Sequence, residues 1–349
     1  MDAKAARRRR VSTAPPSQRL PSTTATTPTA IGAIVRLFTE RTLALRAVAA
    51  PKVLLLGSTG FLGRSVTHRL LDAGYLVRVL VRDQMKAAAY RVRGADVMVG
   101  DVLDPKAVAQ ACAGMDGVVD LVAVRRNRPQ SYLAVNIDGP RLVAEAARAQ
   151  NVKSILLVSA VGAGPNPQYQ YLTSRWMGET ELRKVNIASI ILRFSLIIGE
   201  DGGVLSDFER AAKFGPMIVI PGDGQTRFQP ILREDVASCI IEAIPRADLI
   251  GKTLDLGGPE VMTYNELFNM FMQARGITKR VVHVPGAVLT PGAAAMELLL
   301  KDPIATADEV RTIQKDNLAA GLDVVASYFT FRPSSPRTWI PQHWRAPVR

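Results

Sequence analysis

Short apolar runs alternate with amphipathic segments between Lys52 and Gly199, and this alternation is the strongest constraint on the fold. Six runs read as strands: KVLLLG, YLVRVLVRD, ADVMVGD, GVVDLVAV, KSILLVSAVG and ASIILRFSLIIG. Nearly continuous apolar strands are typical of a parallel sheet that is buried on both faces. Helical segments separate them, one closed by Gly74 and another opened by Pro105. The pattern therefore predicts an α/β protein with a doubly wound, parallel Rossmann sheet.

The alternation ends after residue 199. Glycine-rich turns (EDGG, PGDGQ, LGGPE) separate two helical patterns, REDVASCIIEAI and TYNELFNMFMQA, from a further candidate strand, GKTLDLGG. This predicts a small, irregular C-terminal α/β cap. We accordingly divide the chain into an arm (1–50), a Rossmann domain (51–199), a cap (200–332) and an extended basic tail (333–349).

The net charge of +13 is concentrated at the ends of the chain. Residues 1–50 carry a net charge of +7 and residues 331–349 a net charge of +4, which leaves +2 for the 280 residues between them. A nearly neutral body argues against a nucleic-acid-binding protein. Basic ends are consistent with an acidic partner, an anionic membrane surface, a targeting signal or a solvated, disordered arm.

The arm has the composition of an organellar transit peptide, or of an upstream stretch wrongly included in the reading frame. Apolar residues at helical spacing predict an amphipathic helix that could lie on a surface; they are Ile31, Ile34, Val35, Phe38 and Leu45. No run of about 18 apolar residues predicts a membrane-spanning helix.

Cysteine usage bears on the compartment and on metal binding. Cys112 and Cys239 are far apart and form no CxxC pair, so neither a metal site nor a disulfide framework is expected. We therefore expect a soluble or membrane-peripheral protein in a reducing compartment, with a bacterial cytoplasm favoured over a mitochondrial matrix or a plastid.

A GxxGxxG motif lies between the first predicted strand and the first predicted helix. Gly57 permits a sharp turn, Gly60 lets the backbone approach a pyrophosphate, and Gly63 allows the helix to pack closely on the strand. The helix N-terminus supplies amide donors and positive potential. The motif predicts a nicotinamide dinucleotide site in which Ser58, Thr59, Phe61 and Leu62 belong to the same loop.

The end of the second strand bears on the choice of dinucleotide. Arg82 is a cation placed to bind the 2′-phosphate of NADPH, and Arg64, which follows the third glycine, is placed to assist. Asp83 keeps NADH as the alternative, because an acidic residue here accepts the ribose hydroxyls. We therefore predict NADPH in preference to NADH. Further along the strand ends, we expect adenine beside Asp101 and Val102, and the adenosine ribose beside Val122 and Ala123.

Several phrases resemble the short-chain dehydrogenase/reductase superfamily: GSTGFLGR, GDVLD, VNIDG, LVSAVGA, YLTSR and ILRFSLIIG. PGDGQTRFQPILREDVA, GKTLDLGGPEVMTYNELFNMF and TADEVRTIQKDNL resemble its atypical group around the 39-kDa accessory subunit of respiratory complex I. The resemblance runs from about residue 52 to about residue 332. It implies a Rossmann domain with a small cap and firmly held NADPH. It also implies a structural role in complex I, or roles in ubiquinone synthesis or photosystem assembly.

The resemblance also implies catalytic positions, and one of them is altered. Active members pair a tyrosine with a lysine four residues later, which lowers the pKa of the phenol and holds the nicotinamide ribose; the matching residues here are Tyr171 and Arg175. Ser159 matches the residue that binds the reacting oxygen, and Asn136 matches a supporting group. Arginine is not a conservative replacement for lysine at a close-packed site. Phe194 stands where the family usually has proline.

Three functions remain open from the sequence. The first is an NADPH-binding homologue with little or no turnover, acting as an accessory or assembly factor for a quinone-linked membrane complex or in ubiquinone synthesis. The second is a working NADP-dependent reductase or epimerase on a small carbonyl or sugar-like substrate. The third is a redox sensor whose partner affinity depends on NADPH. The altered Tyr-x-x-x-Lys pair beside an intact glycine loop favours the first.

Overall fold

A computed structural model describes residues 50–127, 130–213, 215–300 and 303–344. The chain from Ala50 onward forms one compact unit. The predicted arm helix at 31–50 lies outside the described residues, apart from Ala50 itself.

Thirteen strands occur among the described residues. They are β1 (Lys52–Leu56), β2 (Leu76–Val81), β3 (Asp96–Val99), β4 (Gly117–Asp120), β5 (Ser154–Ala160), β6 (Ser189–Phe194), β7 (Ile197–Ile198), β8 (Met217–Pro221), β9 (Arg227–Phe228), β10 (Ile231–Leu232), β11 (Thr253–Leu256), β12 (Met262–Thr263) and β13 (Arg280–Val284). Seven of them form a parallel sheet in the order β11-β6-β5-β4-β1-β2-β3. The predicted doubly wound sheet is confirmed.

Twelve α-helices join these strands within the described ranges. They are α1 (Phe61–Asp72), α2 (Ala88–Val92), α3 (Pro105–Cys112), α4 (Gly139–Ala149), α5 (Gln170–Lys184), α6 (Gly203–Lys213), α7 (Arg233–Ala243), α8 (Tyr264–Arg275), α9 (Gly286–Leu299), α10 (Ala307–Thr312), α11 (Val324–Tyr328) and α12 (Pro336–His343). A π-helical turn, Leu133–Asp138, leads directly into α4.

Strand β1 explains why the strands read as unbroken apolar runs. Val53 and Leu55 belong to the core on one face of the sheet, whereas Leu54 and Leu56 belong to the core on the other face. All four side chains are almost completely buried. Because both faces of the sheet are covered, no alternation of apolar and polar residues is needed.

The segment after residue 199 contributes to the main sheet as well as to the cap. Strand β11, the candidate strand GKTLDLGG of the sequence, pairs in parallel with β6 at the sheet edge. Helix α7 packs against α1, where the Ser65 hydroxyl donates to a Glu234 oxygen at 2.7 Å. The boundary predicted at residue 199 therefore does not separate the sheet from the cap.

The prediction of an extended tail is wrong over Pro336–His343, which forms α12. Pro336 occupies the first turn, where the lack of an amide proton costs nothing. Ile340 and Trp344, one turn apart, are buried in the cap core with Phe271. The high proline content of this segment conceals the spacing of these two anchors in the sequence.

We expect Ile340→Ala to destabilise the fold by about 2–5 kcal/mol, because it leaves a cavity in the cap core. Gln342→Ala changes an exposed residue of the same helix and serves as the control. Urea unfolding monitored by circular dichroism measures both variants. Equal free energies of unfolding for the two variants would show that α12 does not pack on the cap in solution.

Candidate functional site

The glycine loop brings strand β1 and helix α1 into very close contact. Gly57 has a φ of +82°, which side chains other than glycine rarely adopt. The Gly60 amide donates to the Gly57 carbonyl oxygen at 3.0 Å. A Cβ atom added at Gly63 would collide with that same carbonyl oxygen. The spacing of the glycines is therefore a geometric requirement of this turn.

The N-terminus of α1 has the chemistry that a pyrophosphate requires. Gly60 is its N-cap residue, no side chain accepts from its first amides, and no acidic residue lies in its first turn. The Ser58 hydroxyl is buried without a hydrogen-bond partner among the described residues. These free donors and the positive end of the helix dipole fit a bound anion. The residues of the loop thus fit a dinucleotide.

Not every residue of the loop faces a common site. The Phe61 ring packs toward the cap, where the Arg233 guanidinium lies 5.1 Å from its centroid. Leu62 packs against the core on one face of the sheet. Thr59 is exposed. The Arg64 guanidinium donates to the Asp201 carbonyl oxygen at 3.0 Å, so it is engaged with the cap loop.

The residues predicted around the adenosine lie at the carboxyl ends of β2, β3 and β4. Arg82 is exposed, and its side chain makes no hydrogen bond to the described residues. The Asp83 carboxylate instead accepts from the Met85 amide at 2.9 Å and caps a 3-10 turn. Asp101 accepts from the Leu103 amide at 3.0 Å. The apolar members of the set are placed as follows: Val102 and Val122 are half-buried against the core, and Ala123 is exposed.

Arg175 is buried at the carboxyl ends of β4 and β5. Only 2% of its surface is exposed. Its guanidinium donates to the Val122 carbonyl oxygen at 3.3 Å and, through a shorter bond, to the Val158 carbonyl oxygen. The planar, forked guanidinium suits two acceptors on neighbouring strands. Arg175 thus ties α5 to two strands of the sheet.

Asp120, which the sequence analysis did not select, lies beside this guanidinium. Its carboxylate accepts from the Val122 amide at 2.9 Å. Asp120 therefore binds the backbone amide of Val122, and Arg175 binds the carbonyl oxygen of the same residue. Burial raises the pKa of Asp120 to about 6, although the Val122 amide and the Arg175 charge both act to lower it. Asp120 is the last residue of β4 and the only carboxylate in that strand. A single acidic residue at the end of an apolar strand is the signal in the sequence that could have identified it as a site residue.

Tyr171 lies in the first turn of α5, and a carboxylate from the cap holds that turn. The Asp308 oxygens accept from the Gln170 and Tyr171 amides at 2.8 and 2.9 Å. The Tyr132 ring lies 6.3 Å from the Tyr171 ring, and the Tyr132 hydroxyl donates to the Arg125 carbonyl oxygen at 2.7 Å. Desolvation, reinforced by Asp308, raises the pKa of Tyr132. A second phenol therefore lies beside the predicted one.

Asn136 connects the β4 loop to helix α5. Its side-chain oxygen accepts from the Val124 amide at 2.9 Å, and its amide donates to the Val124 carbonyl oxygen and the Ser174 hydroxyl, each at 2.9 Å. The residue is completely buried. Its polar atoms are fully used by the protein, so the structure gives it a supporting position. Its role in a reaction stays a prediction.

Among the described residues, the Ser159 hydroxyl makes no hydrogen bond to Tyr171. The Ser159 hydroxyl donates to Glu179 at 2.6 Å, and Glu179 lies two helical turns beyond Tyr171. Glu179 is completely buried and accepts two hydrogen bonds from Arg193, at 2.8 and 2.6 Å. This network joins β5, α5 and β6, and it explains why the Ser159 hydroxyl points away from the predicted reaction site.

The segment after α10 covers the carboxyl ends of β5 and β6. Asn317 donates to the Val161 carbonyl oxygen at 2.9 Å and accepts from the Ser195 hydroxyl at 2.7 Å. Phe194, where the family has proline, is buried in the core. The sequence marks the start of α10 through the capping box of Thr306 and Glu309, but it contains no signal for contacts with residues more than 100 positions away.

The described parts of the chain contain no cluster of three or more side chains suited to bind a metal ion. They also contain no helix whose length and apolar character would allow it to cross a membrane. Both cysteines are buried free thiols, and burial raises the pKa of Cys112 to about 11.

Fold and site together define an NAD(P)-binding Rossmann protein. A family model described as NAD(P)H-binding matches residues 57–246, more than half of the chain, and the chain belongs to this family. The predicted kinship with the complex I 39-kDa subunit group is confirmed by the relatives described next.

Three curated relatives illustrate the range of roles in this group. Ceramide reductase of Caulobacter vibrioides is 29% identical over 69% of this chain and 76% of its own length. The 40 kDa subunit of NADH-ubiquinone oxidoreductase from Neurospora crassa is 26% identical over 73% of this chain and 68% of its own. Photosystem II assembly factor Ycf39 of Trieres chinensis is 26% identical over 67% of this chain and 72% of its own.

Solved structures agree on the fold. The crystal structure of gox2253 is 25% identical and covers 84% of this chain and 99% of its own, with a TM-score of 0.64. A nucleoside-diphosphate-sugar epimerase from Staphylococcus aureus, 18% identical, covers 83% of this chain and 99% of its own with a TM-score of 0.67.

The raised pKa of Asp120 predicts a pH dependence of stability. The folded state holds the Asp120 proton up to about pH 6, whereas the unfolded state loses it near pH 3.8, so this group makes unfolding release a proton. Its contribution to the free energy of unfolding should therefore fall as the pH rises from about 4 to about 6 and stay constant above that range. Subtracting the urea-unfolding free energies of Asp120→Asn from those of the unmodified protein isolates it. A difference that rises with pH would mean that Arg175 keeps Asp120 ionised.

Proposed function

We propose that this protein binds NADPH and acts, with little or no turnover, as an accessory or assembly factor for a quinone-linked membrane complex or in ubiquinone synthesis. One observation carries the proposal. The glycine turn and the free first amides of α1 fit a dinucleotide, whereas the Arg175 guanidinium donates to the carbonyl oxygens of Val122 and Val158. On this proposal the fold keeps dinucleotide binding and has little or no catalytic turnover.

The binding half rests on the residues around the carboxyl ends of β1 to β4. The Gly57–Gly63 loop and the first amides of α1 would hold the pyrophosphate. Arg82 would bind the 2′-phosphate, because its exposed guanidinium has no partner among the described residues while the Asp83 carboxylate accepts from the Met85 amide. The remaining candidates, Asp101, Val102, Val122 and Ala123, would line the adenosine.

For catalysis, two of the groups that active members use, at Ser159 and Arg175, are engaged within the protein. Bound NADPH supplies a hydride, and a proton must then reach the substrate oxygen. Tyr171 is the residue that would deliver it, but Ser159 donates to Glu179 and the charge of Arg175 is shared with two carbonyl oxygens and Asp120. A phenol without a committed cation beside it transfers a proton inefficiently at neutral pH.

The accessory role is supported by the relatives, which include a complex I subunit and a photosystem II assembly factor. One relative supports a different function: ceramide reductase is named for an activity and is the most identical of the three. A working NADP-dependent reductase is therefore the second candidate, and the two differ in whether Tyr171 turns over bound NADPH.

We expect the unmodified protein to bind NADPH roughly tenfold or more tightly than NADH, since a charge-assisted hydrogen bond to the 2′-phosphate contributes about 1.5–3 kcal/mol. Arg82→Asp should erase or reverse this preference. Arg91→Asp, on the exposed surface of α2, is the charge-matched control. Fluorescence titration gives both affinities. Equal affinities in the unmodified protein would exclude Arg82 as a 2′-phosphate ligand.

A second expectation concerns turnover. Single-turnover oxidation of bound NADPH by a panel of quinones and ketones should be very slow in the unmodified protein. Arg175→Lys should raise any trace rate while leaving NADPH affinity similar, because lysine places a compact charge near the phenol. Tyr171→Phe is the matched control that removes only the hydroxyl.

Fast oxidation in the unmodified protein that Tyr171→Phe abolishes would contradict the proposal. It would favour the reductase that ceramide reductase exemplifies, with arginine serving in place of lysine.

A further inference from the structure

A cavity of about 480 Å³ lies beside the N-terminus of α5. Tyr169 lines one side of the cavity, and Ala287 and Pro291 of α9 line another. Arg311, in α10, and Gln314, just after α10, also line it. This volume is in the range that accommodates a small organic molecule. None of the dinucleotide candidates lines it.

The cavity has an unbalanced positive charge. Arg311 lines it, and within the described residues its guanidinium makes no hydrogen bond or ion pair. The Lys315 ammonium lies 4.9 Å from the centroid of the Tyr169 ring and donates to the neutral Gly162 carbonyl oxygen. A guanidinium without a counter-ion in a concave site favours an anionic ligand.

Three acidic residues that lie near Arg311 in the described sequence are engaged elsewhere. Asp308 accepts from the first amides of α5. Glu309 pairs with Arg126 at 2.9 Å, and Asp316 pairs with Arg227 at 2.6 Å. The positive charge of Arg311 therefore remains available to a ligand.

The walls define what else the ligand must carry. The Tyr169 ring, Ala287 and Pro291 present apolar surface. The Gln314 amide donates to the Val310 carbonyl oxygen at 2.6 Å, and the Thr290 hydroxyl donates to the Gly286 carbonyl oxygen at 2.8 Å. These donors are used within the protein, so the polar groups that the cavity offers a ligand include the Arg311 guanidinium and the exposed Gln168 side chain.

We propose that this cavity binds a small organic carboxylate with a compact apolar body, held by Arg311 and packed against Tyr169. The guanidinium fork matches a carboxylate in a bidentate arrangement, and the Tyr169 ring with Ala287 and Pro291 offers apolar surface to the body of the ligand. The site is separate from dinucleotide binding and does not depend on the proposed function.

Calorimetric titration of the full chain with benzoate and phenylacetate tests this, with benzamide as the neutral counterpart of benzoate and benzyl phosphate as a second anion. We expect saturable binding of a carboxylate, with benzamide at least tenfold weaker. Arg311→Gln should weaken carboxylate binding at least tenfold, whereas Arg280→Gln, an exposed arginine outside the cavity, should not. Ala287→Trp fills the cavity without removing charge and should also prevent binding.

Several results would overturn the proposal: no saturable carboxylate binding, unchanged affinity in Arg311→Gln or Ala287→Trp, or tighter binding of benzyl phosphate than of both carboxylates. A loss of NADPH affinity in a folded Arg311→Gln protein would overturn it too, since the cavity would then belong to the dinucleotide site. Carboxylate binding without any NADPH binding would support the cavity and contradict the proposed function.

Discussion

The carbonyl oxygens at the carboxyl ends of β4 and β5 are joined by one buried guanidinium, that of Arg175. This contact fixes helix α5 against the edge of the sheet where the glycine loop also lies. A buried cation needs acceptors, and here they are two backbone oxygens, with the charge of the Asp120 carboxylate nearby. Lysine, with a single ammonium group, could not bridge both strands in this planar manner. The replacement therefore gives the residue a structural position in the fold.

The cap also holds the N-terminal turn of α5, one turn before Arg175. Asp308 caps its first turn, and Asn317 binds the Val161 carbonyl oxygen just past β5. Further along α5, Glu179 accepts hydrogen bonds from Ser159 and Arg193 and forms a buried network with them. Because a buried polar network is stable only when its members are satisfied, these side chains are held within the protein. The result is a rigid platform beside a loop whose backbone donors remain free.

Much of the fold was predictable, and the reason is visible in β1. Val53 and Leu54 enter opposite cores, so a continuous apolar run is the expected signature of a buried parallel strand. The glycine loop was equally readable, since Gly63 packs against the Gly57 carbonyl within one turn. The partners of the reactive candidates were not readable. Asp308 meets Tyr171 from 137 positions away, and spacing within a motif carries no information on such contacts.

The direction of a side chain was the second source of error. Ser159 lies near the end of β5, as its motif implied, but it shares a face of the sheet with Arg193 and is bound by Glu179. Likewise, the tail is rich in proline, yet Ile340 and Trp344 provide enough apolar burial to order α12. In both cases the arrangement depends on tertiary contacts that the local sequence does not reveal.

We propose that a dinucleotide cradle persists beside a reaction site whose key cation has become structural. The most direct test is to purify the full chain without added nucleotide, release any bound molecule by denaturation, and identify and quantify it by mass spectrometry. We predict NADPH or NADP⁺, approaching one molecule per chain after reconstitution with NADPH. Recovery of NADH or NAD⁺ instead, or no retention of either dinucleotide after reconstitution, would contradict the claim.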